Sequence, residues 1–94
     1  MKIRLTKLAE NDLNSVEAFI RKENPPVAVR TVLRILEAVE GLLAYPNIGR
    51  PGRVPNTREL VVSGTPYIAA YRVRENTIWI LRVIHSARKW PDEL

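Results

Sequence analysis

Residues 58–85, RELVVSGTPYIAAYRVRENTIWILRVIH, constrain the fold more than any other stretch of this chain. They hold three runs of strand-forming residues separated by two short turns. The first run, Arg58 to Ser63, is closed by Ser63-Gly64-Thr65-Pro66. There glycine tolerates positive φ, and the residue before proline is pushed out of helical space. The second run is Tyr67 to Arg74. The third, Thr77 to His85, follows Glu75-Asn76, a loop of tight-hairpin length, although Glu is not the residue a type I′ turn prefers. The expectation is a three-stranded antiparallel meander.

Alternation along these strands separates their faces. In the second run Tyr67, Ala69, Tyr71 and Val73 share an apolar face, while Ile68, Ala70, Arg72 and Arg74 share one that turns basic. In the third run strict alternation puts Trp79, Leu81 and Val83 on one side and Ile78, Ile80 and Ile84 on the other. Both sets are apolar, so this strand is expected to be central and covered on both faces. Arg82 and His85 break the pattern. A charged head in so apolar a strand needs a groove, solvent or a partner.

The rest of the chain supplies what can cover the meander. Lys2 to Leu5 alternates and reads as a short added strand. Thr6 is placed to cap a helix over Lys7 to Lys22, whose Ala9, Leu13, Val16 and Ile20 form an apolar stripe widened by Phe19. Glu10, Asp12 and Glu17 are expected to face water. Asn24-Pro25-Pro26 ends this helix and opens the next, since proline fits a first helical turn and not an interior. From Val27 to Leu43 the stripe runs through Ala28, Val32, Ile35, Leu36, Val39, Leu42 and Leu43. Arg30 and Arg34 lie off it, free to extend a basic surface or to pair with Glu37. Two helices joined by a tight turn form a hairpin whose apolar side needs the sheet. The fold class is therefore α+β: a short N-terminal strand, an antiparallel helical hairpin, and a mainly antiparallel sheet completed by the meander, in one domain spanning 1–94.

Composition narrows the function. No cysteine is present, which excludes a disulfide framework, a thiolate nucleophile and Cys-ligated metal. No run approaches the about 18 apolar residues of a membrane span, and the N-terminus meets charge before any long apolar run, so an unprocessed cytoplasmic protein is expected. The net charge is +5. Residues 1–49 hold seven Lys/Arg against six Asp/Glu, and residues 50–94 hold eight against four, so the sheet half carries most of the excess. Seven of those eight cations are Arg, suited to bidentate contact with phosphate. Either a polyanionic target or a solvated basic surface accounts for this.

Between helix and meander, YPNIGRPGRVPN reads as a loop carrying Arg50 and Arg53 beside Gly49 and Gly52. The glycines suit either phosphate approach or a long connection. After His85 the segment SARKWPDEL is too interrupted by Pro91 for a long helix, and is expected to return over one sheet face with Trp90 packed. His85 is the only histidine, with Arg82 three residues before and Arg88 three after. Metal-free RNA cleavage needs a base for the 2′-hydroxyl, cations for the phosphorane and an acid for the leaving oxygen. His85 supplies an acid or base, and Arg72, Arg74, Arg82 and Arg88 supply charge. No grouped carboxylates occur in the strands, and there is no G-x-x-x-x-G-K-[ST] or H-E-x-x-H, so two-metal nuclease, phosphotransfer and zinc chemistry lack support, and no metal or cofactor is expected.

The order of elements, with LTKLAENDLNSVEAFI early, YPNIGRPGR in the middle, and TREL, YIAAYRV and ILRVIHSAR late, strongly resembles the RelE/ParE superfamily of bacterial type II toxins over essentially the whole chain. The resemblance implies a fold comparable to small microbial RNases and a growth-arresting toxin restrained by a cognate antitoxin. It implies one of two targets, of which the His/Arg cluster and the basic sheet half favour the first, RNA cleavage, with gyrase as the alternative. RelE-like members cleave messenger RNA on the ribosome, which would make Arg82, His85 and Arg88 catalytic, with Arg50, Arg53, Arg72, Arg74 and Lys89 holding nucleic acid. ParE-like members inhibit DNA gyrase and are not known as nucleases. Two features depart from the RNase branch: no tyrosine follows Tyr71, and the loop carries arginines in place of lysines. A histidine at this position occurs in both branches.

Overall fold

A computed structural model describes residues 1–94. Its sheet has five strands: β1 (Lys2–Leu5), β2 (Arg50–Pro51), β3 (Arg58–Val61), β4 (Tyr67–Arg74) and β5 (Thr77–His85). They lie in the order β1-β5-β4-β3-β2. The meander β3-β4-β5 is antiparallel, and β1 adds to β5 in parallel, from Lys2 beside Thr77 to Leu5 beside Ile80. β3 is shorter than its sequence run, stopping at Val61 because Val62 and Thr65 turn the chain: the Val62 carbonyl accepts from the Thr65 amide at 3.1 Å and from its hydroxyl at 2.9 Å. β2 is a pairing that the Pro- and Gly-rich loop gave no sign of.

Helices α1 (Lys7–Arg21) and α2 (Pro25–Glu40) form the hairpin, followed by one 3₁₀ turn at Gly41–Leu43. Thr6 caps α1 by accepting from the Ala9 amide at 3.1 Å, and Asn24 caps α2 by accepting from Val27 at 3.2 Å with Pro25 in the first turn. Their inner sides, through Ala9, Val16, Ile35 and Val39, bury against Tyr67, Ala69, Tyr71, Ile78, Ile80 and Val83. The stripes are narrower than the sequence spacing suggests. Phe19 is 70% exposed, and Leu36 and Leu43 also face outward. The core reaches Ile3 and Leu5 of β1 and Leu60 of β3, yet these flanks of each stripe stay outside it. Arg30 and Arg34 form no ion pair with Glu37.

One irregularity reassigns the faces of β5. Ala70 stands opposite Arg82 and Tyr71 opposite Ile80, so Leu81 is an extra residue, a β-bulge. Ile78, Ile80, Val83 and His85 consequently point to the helices, while Trp79, Arg82 and Ile84 point away. Strict alternation had grouped Val83 with Trp79 and Ile84 with Ile80.

The face away from the helices is partly covered. The C-terminal tail passes over it, with the Trp90 ring stacked under the Arg53 guanidinium at 4.3 Å. Ile68, Ala70 and Ile84 are buried there.

Candidate functional site: the end of β5 and the arginine loop

β5 ends where its neighbour β1 has already turned away, which leaves the edge of Leu81–Val83 open for α1 to close. The Thr6 hydroxyl donates to the Leu81 carbonyl at 2.8 Å, and the Asp12 carboxylate accepts from the Val83 amide at 2.9 Å. The same carboxylate receives two bonds from Arg82, Nε at 2.7 Å and Nη2 at 3.0 Å. Asp12 therefore does not face water, contrary to the expectation for that helix. Its hydrogen bonds hold the Arg82 guanidinium above even its usual pKa, against the opposing effect of burial.

His85, the last residue of β5, sits edge-on to Tyr67 with ring centroids 5.4 Å apart and planes at 82°. Its Nδ1 accepts from the Ala87 amide at 3.0 Å, within a tight turn that the Arg88 amide closes by donating to the His85 carbonyl at 2.9 Å. In that bond Nδ1 is the acceptor, which puts the ring proton on Nε2. His85 and Arg88 share a groove against α1 whose apolar wall is Val16, Phe19, Tyr67 and Val83. Arg82 lies on the other face, in a recess with Arg88, Lys89 and Trp90. The three residues of the sequence cluster thus divide between two grooves, with Arg88 at the edge of both.

The arginine loop is organised by a residue that the sequence reading passed over. Glu59, its side chain 1% exposed, accepts from Arg50 Nε at 3.2 Å and Nη2 at 3.0 Å, and from the Arg53 amide at 2.8 Å. A carboxylate so buried must be neutralised and fully bonded, and Arg50 and Arg53 do this. A lone Glu opening an apolar strand amid three arginines was the available signal. The glycines answer to packing. A Cβ on Gly49 would lie 2.7 Å from the Tyr71 ring, and one on Gly52 would lie 2.9 Å from the Thr57 carbonyl oxygen. Tyr71, wholly buried, ties the loop from beneath: its hydroxyl donates to the Pro46 carbonyl at 2.8 Å and accepts from the Gly49 amide at 2.9 Å.

Arg72 and Arg74 are elsewhere, on the helix-free face near the β4–β5 turn, and neither is ion-paired. No group of three His, Asp or Glu side chains is arranged to hold a metal ion, and no helix is long and apolar enough to cross a membrane.

A hairpin laid on a five-stranded sheet, with a parallel N-terminal strand and a basic C-terminal half, defines a class of small bacterial toxins. Residues 3–90 match the family described as ParE toxin of type II toxin-antitoxin system, parDE. The chain belongs to this family, within the RelE/ParE superfamily. It is 44% identical over 93 residues to the putative toxin Y4kP of Sinorhizobium fredii, covering 99% of this chain and 96% of that one. Among solved structures it is similar to the chromosomal ParDE TA system from P. aeruginosa, at a TM-score of 0.84 and 32% identity over 90% of this chain and 95% of the other. The toxin-antitoxin complex RelBE2 from Mycobacterium tuberculosis is also similar, at a TM-score of 0.67 and 30% identity over 89% and 95%.

Proposed function

We propose that this toxin arrests growth by binding DNA gyrase, as the ParE-like branch does, rather than by cutting RNA. The observation that carries this reading is the state of His85. With Nδ1 occupied by the Ala87 amide and the proton on Nε2, the imidazole has no lone pair left to take a proton from a 2′-hydroxyl. Arg82, the nearest cation along the strand, is occupied by Asp12. What remains is a groove with an apolar wall and a mixed polar rim of Asp12, Ser15, His85 and Arg88, which is a surface for holding a partner.

Ribosome-dependent mRNA cleavage is the second reading, favoured by His85 and Arg88 meeting in one groove. A cognate antitoxin is assigned by likeness to the two solved systems. The outer side of α2, where Val29, Leu33 and Leu36 are exposed at helical spacing, is the surface it would cover. Both readings place the toxin in the cytoplasm, where its targets are.

The test pairs two assays on purified toxin. In a supercoiling reaction with gyrase and relaxed plasmid, activity should fall as toxin is added, and His85→Ala should still inhibit, weakened at most by the loss of one ring from the groove. With programmed ribosomes, primer extension should find the message intact. New 5′ ends at A-site codons that vanish in His85→Ala would overturn the proposal in favour of the nuclease.

A further inference from the structure

On the sheet face away from the helices, three strands bring their polar residues into two cross-strand rows. Arg4 of β1 stands beside Trp79 of β5, which stands beside Arg72 of β4. Two residues along, Lys2 stands beside Thr77, which stands beside Arg74. All six share one face, because their neighbours Ile3, Ile78, Ile80 and Tyr71 belong to the core. The result is a half-exposed indole flanked by four cations.

These cations differ from most of the molecule's other sheet-side arginines. Arg50, Arg53 and Arg82 are bound to Glu59 or Asp12, whereas Lys2, Arg4, Arg72 and Arg74 form no ion pair. The Arg72 Nε is buried and has no hydrogen-bond partner, an unmet donor on the residue paired across the strands with Trp79. Lys2, Arg4, Arg74 and Trp79 line a shallow recess, in which Glu75 is the one carboxylate. Leaving four cations unpaired side by side costs stability through repulsion, and no carboxylate offsets it through an ion pair. Trp79 lies six residues from His85, roughly 20 Å along a strand, so the patch is separate from the β5 terminus and independent of the gyrase reading.

We infer that this face binds a single nucleic-acid strand, with a base stacked on Trp79 and phosphates on the four cations. An acidic protein segment would satisfy the charges. It would give no reason for a planar aromatic face held between two guanidinium-bearing neighbours, an arrangement that takes a π-face and a phosphate backbone together.

The test uses the full chain carrying Trp90→Phe, so that Trp79 is the sole tryptophan, titrated with oligo(dT) and with oligo(U) while its fluorescence is followed. Stacking should quench the emission. Four phosphate contacts on a single strand predict a slope of log affinity against log salt of about −3, and Arg4→Gln should make it shallower by about 0.7. Arg74→Gln should weaken binding as well, and Trp79→Phe should retain most of it. Trp79→Ala should weaken it by about tenfold, with circular dichroism verifying the fold. Quenching by oligo(dT) or by oligo(U) supports the proposal, and the stronger of the two tells DNA from RNA. Three results would overturn it: no quenching by either, an affinity indifferent to Arg4→Gln and Arg74→Gln, or equal binding of a poly-glutamate of matched charge.

Discussion

Asp12 holds three donors with one carboxylate, and two of them come from Arg82. Asp12→Ala therefore orphans a half-buried guanidinium and a strand amide together, and should cost about 2 kcal/mol in urea unfolding. Adding Arg82→Met to it should cost less than the two single changes summed, since the stranded charge is then gone. Tyr71 makes a comparable case in a neutral group. Burial pushes the phenols of Tyr67 and Tyr71 above their ordinary value of 10.0; for Tyr71, the Gly49 hydrogen bond and nearby Arg58 pull partly the other way. The folded chain keeps protons that the unfolded chain releases above about pH 10, so stability is level through neutral pH and falls as pH rises beyond that point. Tyr71→Phe should make that alkaline fall shallower. At neutral pH it should cost roughly 1–3 kcal/mol, because the Gly49 amide loses its acceptor.

At the scale of elements, the β4–β5 turn is the least comfortable piece of backbone. Glu75 and Asn76 both have positive φ, 50° and 60°, as a type I′ turn demands. Asn tolerates this and Glu does not. Glu75→Asn should raise stability by about 0.5–1 kcal/mol, read as a higher denaturant midpoint at unchanged slope. The limits of β4 and β5 were legible in the sequence because that turn and the Gly64-Thr65-Pro66 turn bracket them, and the helix caps were legible because Thr6 and Asn24-Pro25 are local signals. The bulge at Leu81 was not legible. It depends on α1 taking over the edge of β5 through Thr6 and Asp12, some 70 residues away in sequence, and no local pattern carries that. The same limit applies to the candidate site. The sequence gathers His85, Arg82 and Arg88 correctly in the chain, but which groove each enters follows from the bulge. That Glu59 claims Arg50 and Arg53 follows from pairing between β2 and β3.

For the molecule as a whole, the charge divides between arginines that hold the fold together and cations that face outward unpaired. The outward apolar surface is likewise concentrated, on α2. Val29 and Leu33 are 53% and 55% exposed, so Leu33→Glu should change stability by no more than about 0.5 kcal/mol. It should weaken antitoxin binding by about tenfold or more in calorimetry if α2 is the covered side. The remaining consequence lies in β1. Its four residues precede every other element of the fold, yet their only strand partner is residues 77–80 of β5. The sheet cannot close until residue 80 has been made, and long-range closure of this kind folds in milliseconds to seconds rather than microseconds. Force measurements on ribosome-stalled chains of increasing length should register folding only after β5 has emerged. A toxin built this way has a delay fuse: until β5 leaves the ribosome, β1 has no strand to join and the sheet stays open.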